Sequence, residues 1–219
     1  MSSKRIQKPD ERLVPLEAAE AEFKVLNSRF LARLAPVASV EEARAFHKAE
    51  KAVWADASHH VPAFIIGHGR SLISHCSDDG EPSGTAGRPA LTVLEGSGLG
   101  NVAVVVTRWF GGTKLGTGGL VQAYGDAVKA VLGVTKLAKL VHTQTVRLDL
   151  PYNLYEIARR ELENISAQTL NTVFGVDVRI DARILADDLA SLAAKIQEIS
   201  AGRVQVIQVQ DEPDTPFPL

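Results

Sequence analysis

The apolar run Val102–Val106 ends in Arg108-Trp109-Phe110, and five glycines then occupy the nine positions from Gly111 to Gly119. No other stretch constrains the fold so strongly. An unbroken apolar run reads as a strand buried on both faces. After the glycines, Leu120, Val121, Tyr124, Val128, Val131 and Leu132 recur at helical spacing. The segment is therefore predicted as buried strand, polar and aromatic edge, glycine-rich loop and helix. A bare loop entering a helix turns backbone N–H groups toward one point, where the helix dipole favours an anion. Arg108 precedes that loop and Lys114 lies within it. The same glycines also serve tight turns and close packing, so the anion reading needs further support.

The loop does not have nucleotide-cradle spacing. Lys114 comes before Gly116 where a phosphate loop has Gly-Lys-Ser/Thr, and Gly116-Thr117-Gly118 lacks the later glycine of a dinucleotide fingerprint. The whole chain carries a net charge of −2, which argues against a general nucleic-acid coat. Between Pro82 and Leu140, however, Arg88, Arg108, Lys114, Lys129, Lys136 and Lys139 face only Glu95 and Asp126. A local basic patch centred on the loop is expected. A single cysteine, Cys76, excludes an internal disulfide framework and fits a reducing cytosol. No apolar run reaches the roughly 20 residues of a membrane span, and the N-terminus shows no secretory pattern, so a cytoplasmic protein is expected.

Along the chain, residues 1–12 read as a flexible arm. Strands are expected at 22–26 and 29–34, joined by Asn27-Ser28, and a helix at 40–54 capped by Ser39. Strands at 60–67 and 71–77 and a helix opening near Pro89 precede the buried strand. The second half reads strand 141–150, helix 154–164, strand 168–174, strand 176–185, helix 186–200 and strand 203–209. That is the β-α-β-β-α-β order of a ferredoxin-like domain. The division adopted is a first domain at 13–138 and a second at 139–210. Residues 211–219, with three prolines and three acids, read as a disordered acidic tail.

The densest polar cluster is Asp78, Asp79, Gly80, Glu81, Ser83, Gly84 and Thr85. Three carboxylates in four positions suit Mg²⁺, and equally a solvated turn with side-chain to backbone hydrogen bonds. His59 and His60 open a strand, so their side chains point to opposite faces and do not share one metal. No metal centre and no catalytic residue is assigned. Cys76 lies beside Asp78 and Asp79, which disfavour a thiolate. Trp109 and Phe110 beside Arg108 offer stacking for single-stranded bases; packing of the rings as core is the competing reading. Arg159, Arg160, Arg179 and Arg183 are matched by acids and read as a solvated face.

The stretch from Asp78-Asp79-Gly80-Glu81-Pro82 to Gly87, followed by Val104 to Gly116 with Arg108-Trp109-Phe110-Gly111-Gly112, resembles the signature of the IMPACT family, in its bacterial YigZ-like branch. Ser28-Arg29-Phe30 and His59-His60 resemble its N-terminal landmarks, while Val61 stands where the family often has cysteine. The resemblance implies an α+β protein. Its first domain would be like the second domain of small-subunit ribosomal protein five. Its second would be ferredoxin-like and similar to the last domain of elongation factor G. It further implies a link to translational control.

The expectation is thus a non-enzymatic cytosolic protein that binds RNA or the ribosome and modulates translation. Arg88, Arg108 and Lys114 would meet phosphates, and Trp109 or Phe110 would stack. Gly111, Gly112, Gly116, Gly118 and Gly119 would allow close backbone approach. The family's polar turn (Asp78 to Thr85) with His59 and His60 would flank that surface. No cofactor is expected. The alternative is a Mg²⁺-dependent enzyme acting on a nucleotide or phosphorylated small molecule, with Mg²⁺ on Asp78, Asp79 or Glu81. A third reading is a module for a protein partner alone.

Overall fold

The computed structural model describes residues 12–69 and 71–218. The expected arm at 1–12 falls almost wholly outside them. The chain is a two-domain α+β protein that separates into two compact units, parting at Leu140/Val141 and again at Thr215/Pro216. In chain order the elements are β1 (Leu13–Pro15), β2 (Ala19–Val25), β3 (Ser28–Pro36), α1 (Val40–Val53), β4 (His59–Ile66), β5 (Ile73–Cys76), α2 (Gly87–Gly96), β6 (Val102–Trp109) and α3 (Gly116–Val134). Then follow β7 (Leu137–Leu150), α4 (Tyr152–Asn164), β8 (Gln168–Phe174), β9 (Val178–Leu185), a single 3₁₀ turn at Ala186–Asp188, α5 (Leu189–Ile199) and β10 (Ile207–Pro218).

In the first unit an antiparallel sheet runs in the order β2-β3-β6-β4-β5. β6 lies at its centre and is buried from Val102 through Arg108. Both faces are covered: α2 and α3 pack on one, and the Val40–Phe46 side of α1 packs on the other against Phe64 and Ala103. That double cover explains why β6 shows no polar alternation although its neighbours are antiparallel. The β2–β3 hairpin turns through Leu26-Asn27, one residue earlier than expected. Both residues have positive φ (44° and 68°), the twist that a two-residue hairpin loop demands. Ser39 caps α1 by accepting from the Glu42 N–H, as its position predicts.

In the second unit β9 lies between β7 and β8, and β10 pairs with β7. Leu154, Ala158 and Leu162 of α4 and Leu192 and Ile196 of α5 are buried at helical spacing, in one core with Val146, Leu148, Ile180 and Ile184. The element order β-α-β-β-α-β is the expected one.

The C-terminal segment differs from expectation. Residues 211–219 read as a disordered tail, yet 207–218 form strand β10. Prolines are tolerated where a strand has no second neighbour to serve. The acids have partners too: Asp211 accepts from His142 and Gln144, and Glu212 pairs with Arg183. The Thr215 hydroxyl is buried against that of Thr143 at 2.6 Å. Charge and proline content, counted locally, could not reveal partners 29 to 72 residues away. Deleting residues 211–219 therefore lowers the thermal midpoint of the full chain by several degrees, the scale of about 1 kcal/mol in a domain of this size. An unchanged midpoint on heating would restore the tail reading.

Candidate functional site

Strand alternation divides the Arg108-Trp109-Phe110 edge between two faces of the sheet. Arg108 stands opposite Phe30 on β3 and His59 on β4, so these three share the face under α3. Trp109 stands opposite Arg29 and faces the other side, with the end of α1. Phe110 is the first residue beyond the strand and is 49% exposed.

Arg108 is 4% exposed, so it does not meet a phosphate as expected; it is part of the protein's interior. Its Nη1 donates to Glu81 Oε1 at 2.6 Å, and its Nη2 donates to Ser28 Oγ at 3.3 Å. Tyr124, fully buried on α3, donates its hydroxyl to the same Glu81 oxygen at 2.8 Å. The two sequence motifs therefore meet at an interior ion pair. A buried phenol needs a polar partner, so Tyr124 carried a readable signal, although its spacing alone suggested only core. Burial, together with the adjacent Glu81 carboxylate, pushes the Tyr124 phenol far above its ordinary range. His59 completes the group: its Nδ1–H donates to Asp79 O at 2.9 Å, and its Nε2 lies 3.8 Å from Glu81 Oε2.

The polar turn is built from inside as well. Asp78 Oδ1 accepts from the N–H groups of Ala86 (3.1 Å) and Gly87 (2.8 Å), and its Oδ2 accepts from Gly84 at 2.8 Å. It caps α2, whose own N-cap residue Ala86 has no side chain able to do so. Asp79 accepts from Lys51 Nζ at 2.6 Å and from the His60 N–H at 2.7 Å. Burial raises both aspartates, but these donors outweigh it and hold each below the ordinary value of 3.8. Thr85 is buried and donates to Pro82 O; Gly80 adopts φ +88°, and Ser83 and Gly84 are exposed. All three carboxylates are thus engaged. Among the described residues no three His, Cys, Asp or Glu side chains converge on a metal position.

His60 is buried and donates to Trp54 O at 2.9 Å, while His47 donates to His60 O at 2.8 Å. As expected, the two neighbouring histidines serve opposite faces. Trp109 donates to Asp56 at 2.8 Å and meets Trp54 edge-on, with Arg29 4.2 Å from its ring centroid. It is a packing residue, and Phe110, with the Arg108 guanidinium 5.6 Å from its ring centroid, is the more exposed ring.

The loop itself is fastened at its start by hydrogen bonds and at its end by α3, whose Leu120 and Tyr124 are buried. Gly111 donates to Ser28 Oγ, and a Cβ there would fall 2.1 Å from the Asn27 backbone. Gly112 and Gly116 adopt φ +83° and +73°. At Gly118 φ is ordinary and a Cβ would meet nothing within 4 Å, so the fold does not require glycine there. α3 has no side-chain cap and no acid in its first turn. Lys114 and Arg88 are exposed, and neither has an ion pair among the described residues. The basic patch is smaller than expected, since Glu81, Asp126 and Glu17 pair with Arg108, Lys129 and Lys136. In the second unit Arg147, Arg159, Arg179 and Arg183 are likewise paired with carboxylates. No helix among the described residues is long and apolar enough to cross a membrane.

Comparisons with known proteins match residues 26–132 to the Impact N-terminal domain and residues 148–203 to a domain of unknown function, DUF1949. An IMPACT family member of Haemophilus influenzae is 36% identical over 200 residues, covering 91% of this chain and 97% of its own. The IMPACT family member YigZ of Escherichia coli is 33% identical over 200 residues, covering 91% and 98%. The crystal structure of a hypothetical protein, 33% identical, superposes with a TM-score of 0.58 over 92% of this chain and 98% of that one.

Two outcomes follow from the site's construction. Arg108→Ala leaves Glu81 buried without its cation and costs about 3–5 kcal/mol in denaturant unfolding, whereas a surface phosphate ligand would cost almost nothing. The second concerns His47, which burial and the Lys51 charge hold below its ordinary value of 6.5. Between 6.5 and that lower value the unfolded chain takes up a proton that the folded chain refuses. Stability therefore falls as pH falls below 6.5, before Asp78 and Asp79 begin to titrate. The thermal midpoint drops between about pH 7 and pH 5, and His47→Gln flattens that drop. Equal slopes in both proteins would disprove this assignment.

Proposed function

The chain belongs to the IMPACT family, and from that premise we propose that it is a non-enzymatic, cytosolic protein that binds RNA or the ribosome and so modulates translation. The observation that carries the reading is the loop from Phe110 to Gly119. It presents an exposed aromatic ring, a lysine with no ion pair among the described residues and an uncapped helix N-terminus whose first turn is bare at Gly118. A glycine in a helix costs roughly 1 kcal/mol against alanine, and the fold recovers nothing for it at Gly118. An uncovered backbone there suits close approach of a phosphate. In this reading Lys114 and the loop N–H groups meet the sugar-phosphate backbone, Phe110 stacks on a base, and Arg88 extends the basic edge. Arg108 contributes by holding the loop's first residue in place.

The scaffold reading goes with it: a first unit like the second domain of small-subunit ribosomal protein five, and a ferredoxin-like second unit. The Mg²⁺-dependent enzyme is disfavoured by the donor set, because Asp78, Asp79 and Glu81 already serve a helix cap, a lysine with a strand N–H, and an arginine with a tyrosine.

Co-sedimentation with ribosomes and separated subunits tests the proposal. Binding weakens steeply with salt, and Lys114→Glu reduces it about tenfold while lowering the salt slope by about one. Phe110→Ala weakens it without changing that slope. Binding that ignores both salt and Lys114→Glu overturns the reading.

A further inference from the structure

We propose that the cleft between α2 and α3 receives one unstacked nucleotide of a single-stranded RNA whose backbone continues over the Phe110–Gly119 loop. This rests on the RNA reading above and assigns it a second, base-holding element. The cleft has a volume of about 430 Å³, within the range of small-ligand sites. Its walls are apolar at Pro89, Val93 and Val121, and Val121 is 43% exposed. Apolar walls with few polar groups suit the face of a base. Gln122 supplies an amide that both donates and accepts, as the edge of a base requires.

Charge decides the rest. Arg88 lies on the cleft with its guanidinium in no ion pair among the described residues. Its fixed fork of donors matches a phosphate oxygen pair. Lys129 also borders the cleft, and its bond to Asp126 is a solvent-exposed pair, which is weak and readily exchanged. Two cations against one carboxylate call for an anionic guest. A protein partner fits less well, since a stable interface needs about 1,200 Å² or more of buried surface and this cleft accommodates only one small group.

Position links the cleft to the loop. Gly84 and Arg88 come from the polar turn and the start of α2, while Val121 and Gln122 lie on the second turn of α3. Gly116–Gly119 form the turn before it. At 1.5 Å per residue Val121 is about 7.5 Å along the axis from Gly116, a step that an extended nucleotide backbone can make.

The test is fluorescence anisotropy of the full chain with a fluorescein-labelled single-stranded RNA of about ten nucleotides. Arg88→Glu and Val121→Asp, both at exposed positions, each weaken binding about tenfold, while Arg44→Glu on α1, across the sheet, changes it less than about twofold. Thermal midpoints of all three variants confirm that they fold. In the unaltered protein, a 4-thiouridine oligomer cross-links to peptides containing residues 88–93 or 121–129. If Lys114→Glu and Arg88→Glu weaken binding but Val121→Asp does not, the cleft is overturned and the loop reading stands. Ribosome binding without binding of the single strand overturns the inference. So does duplex RNA binding as tightly as the single strand, or free AMP competing as well as the oligomer at equal nucleotide concentration.

Discussion

The ion pair between Glu81 and Arg108 joins two segments 27 residues apart, and nearly every feature of the site leans on it. Both side chains are buried, so each was stripped of water, and their attraction is helped to offset that cost by further bonds, although the Arg108 Nε is buried without a partner. Tyr124 donates to the carboxylate from α3, and Ser28 accepts from the guanidinium at the start of β3. A helix, a hairpin, the central strand and the polar turn are thereby located against one another at one end of the sheet. The same Ser28 oxygen also accepts from Gly111, so the ion pair's surroundings set where the glycine loop begins.

Around this pair the turn is held by bonds of a different kind. Asp78 satisfies three backbone N–H groups and so starts α2, a role that α2's own first residues cannot fill. Asp79 fastens the turn to β4 and, through Lys51, to α1. Left-handed backbone at Asp79 and Gly80, φ 46° and 88°, lets one short turn aim carboxylates in three directions. Close packing follows: a Cβ at Gly87 would fall 2.6 Å from Ser77 O, so that glycine is required by the approach of backbone to backbone.

Much of the fold was legible in the sequence because it rests on local periodicity. The ends of α1, the whole of β8, the centre of β6 and the β-α-β-β-α-β order all follow from patterns within about a dozen residues. The site was legible in membership and misread in role. Density of polar residues marked the correct segments, but polarity does not say whether a side chain faces water or a partner of opposite charge. Arg108 reads as a surface cation because its counter-ion is 27 positions away, and β10 reads as a tail because its partners lie 29 to 72 positions away. His59 and His60 were separated correctly, since alternation along a strand is a local rule.

That division of labour explains why a motif so rich in charge leaves so little charge outside. Arg108, Asp78, Asp79 and Glu81 are consumed in making a rigid edge, and what reaches solvent is Phe110, Lys114, Arg88 and bare backbone. A loop of five glycines would on its own lose much conformational freedom on binding, which weakens affinity. Here its first residue is fixed by Ser28 and its last turn by α3, where Leu120 and Tyr124 are buried in the core. The interior network thus converts a flexible sequence into a surface with a defined shape, and the few exposed groups act from fixed positions.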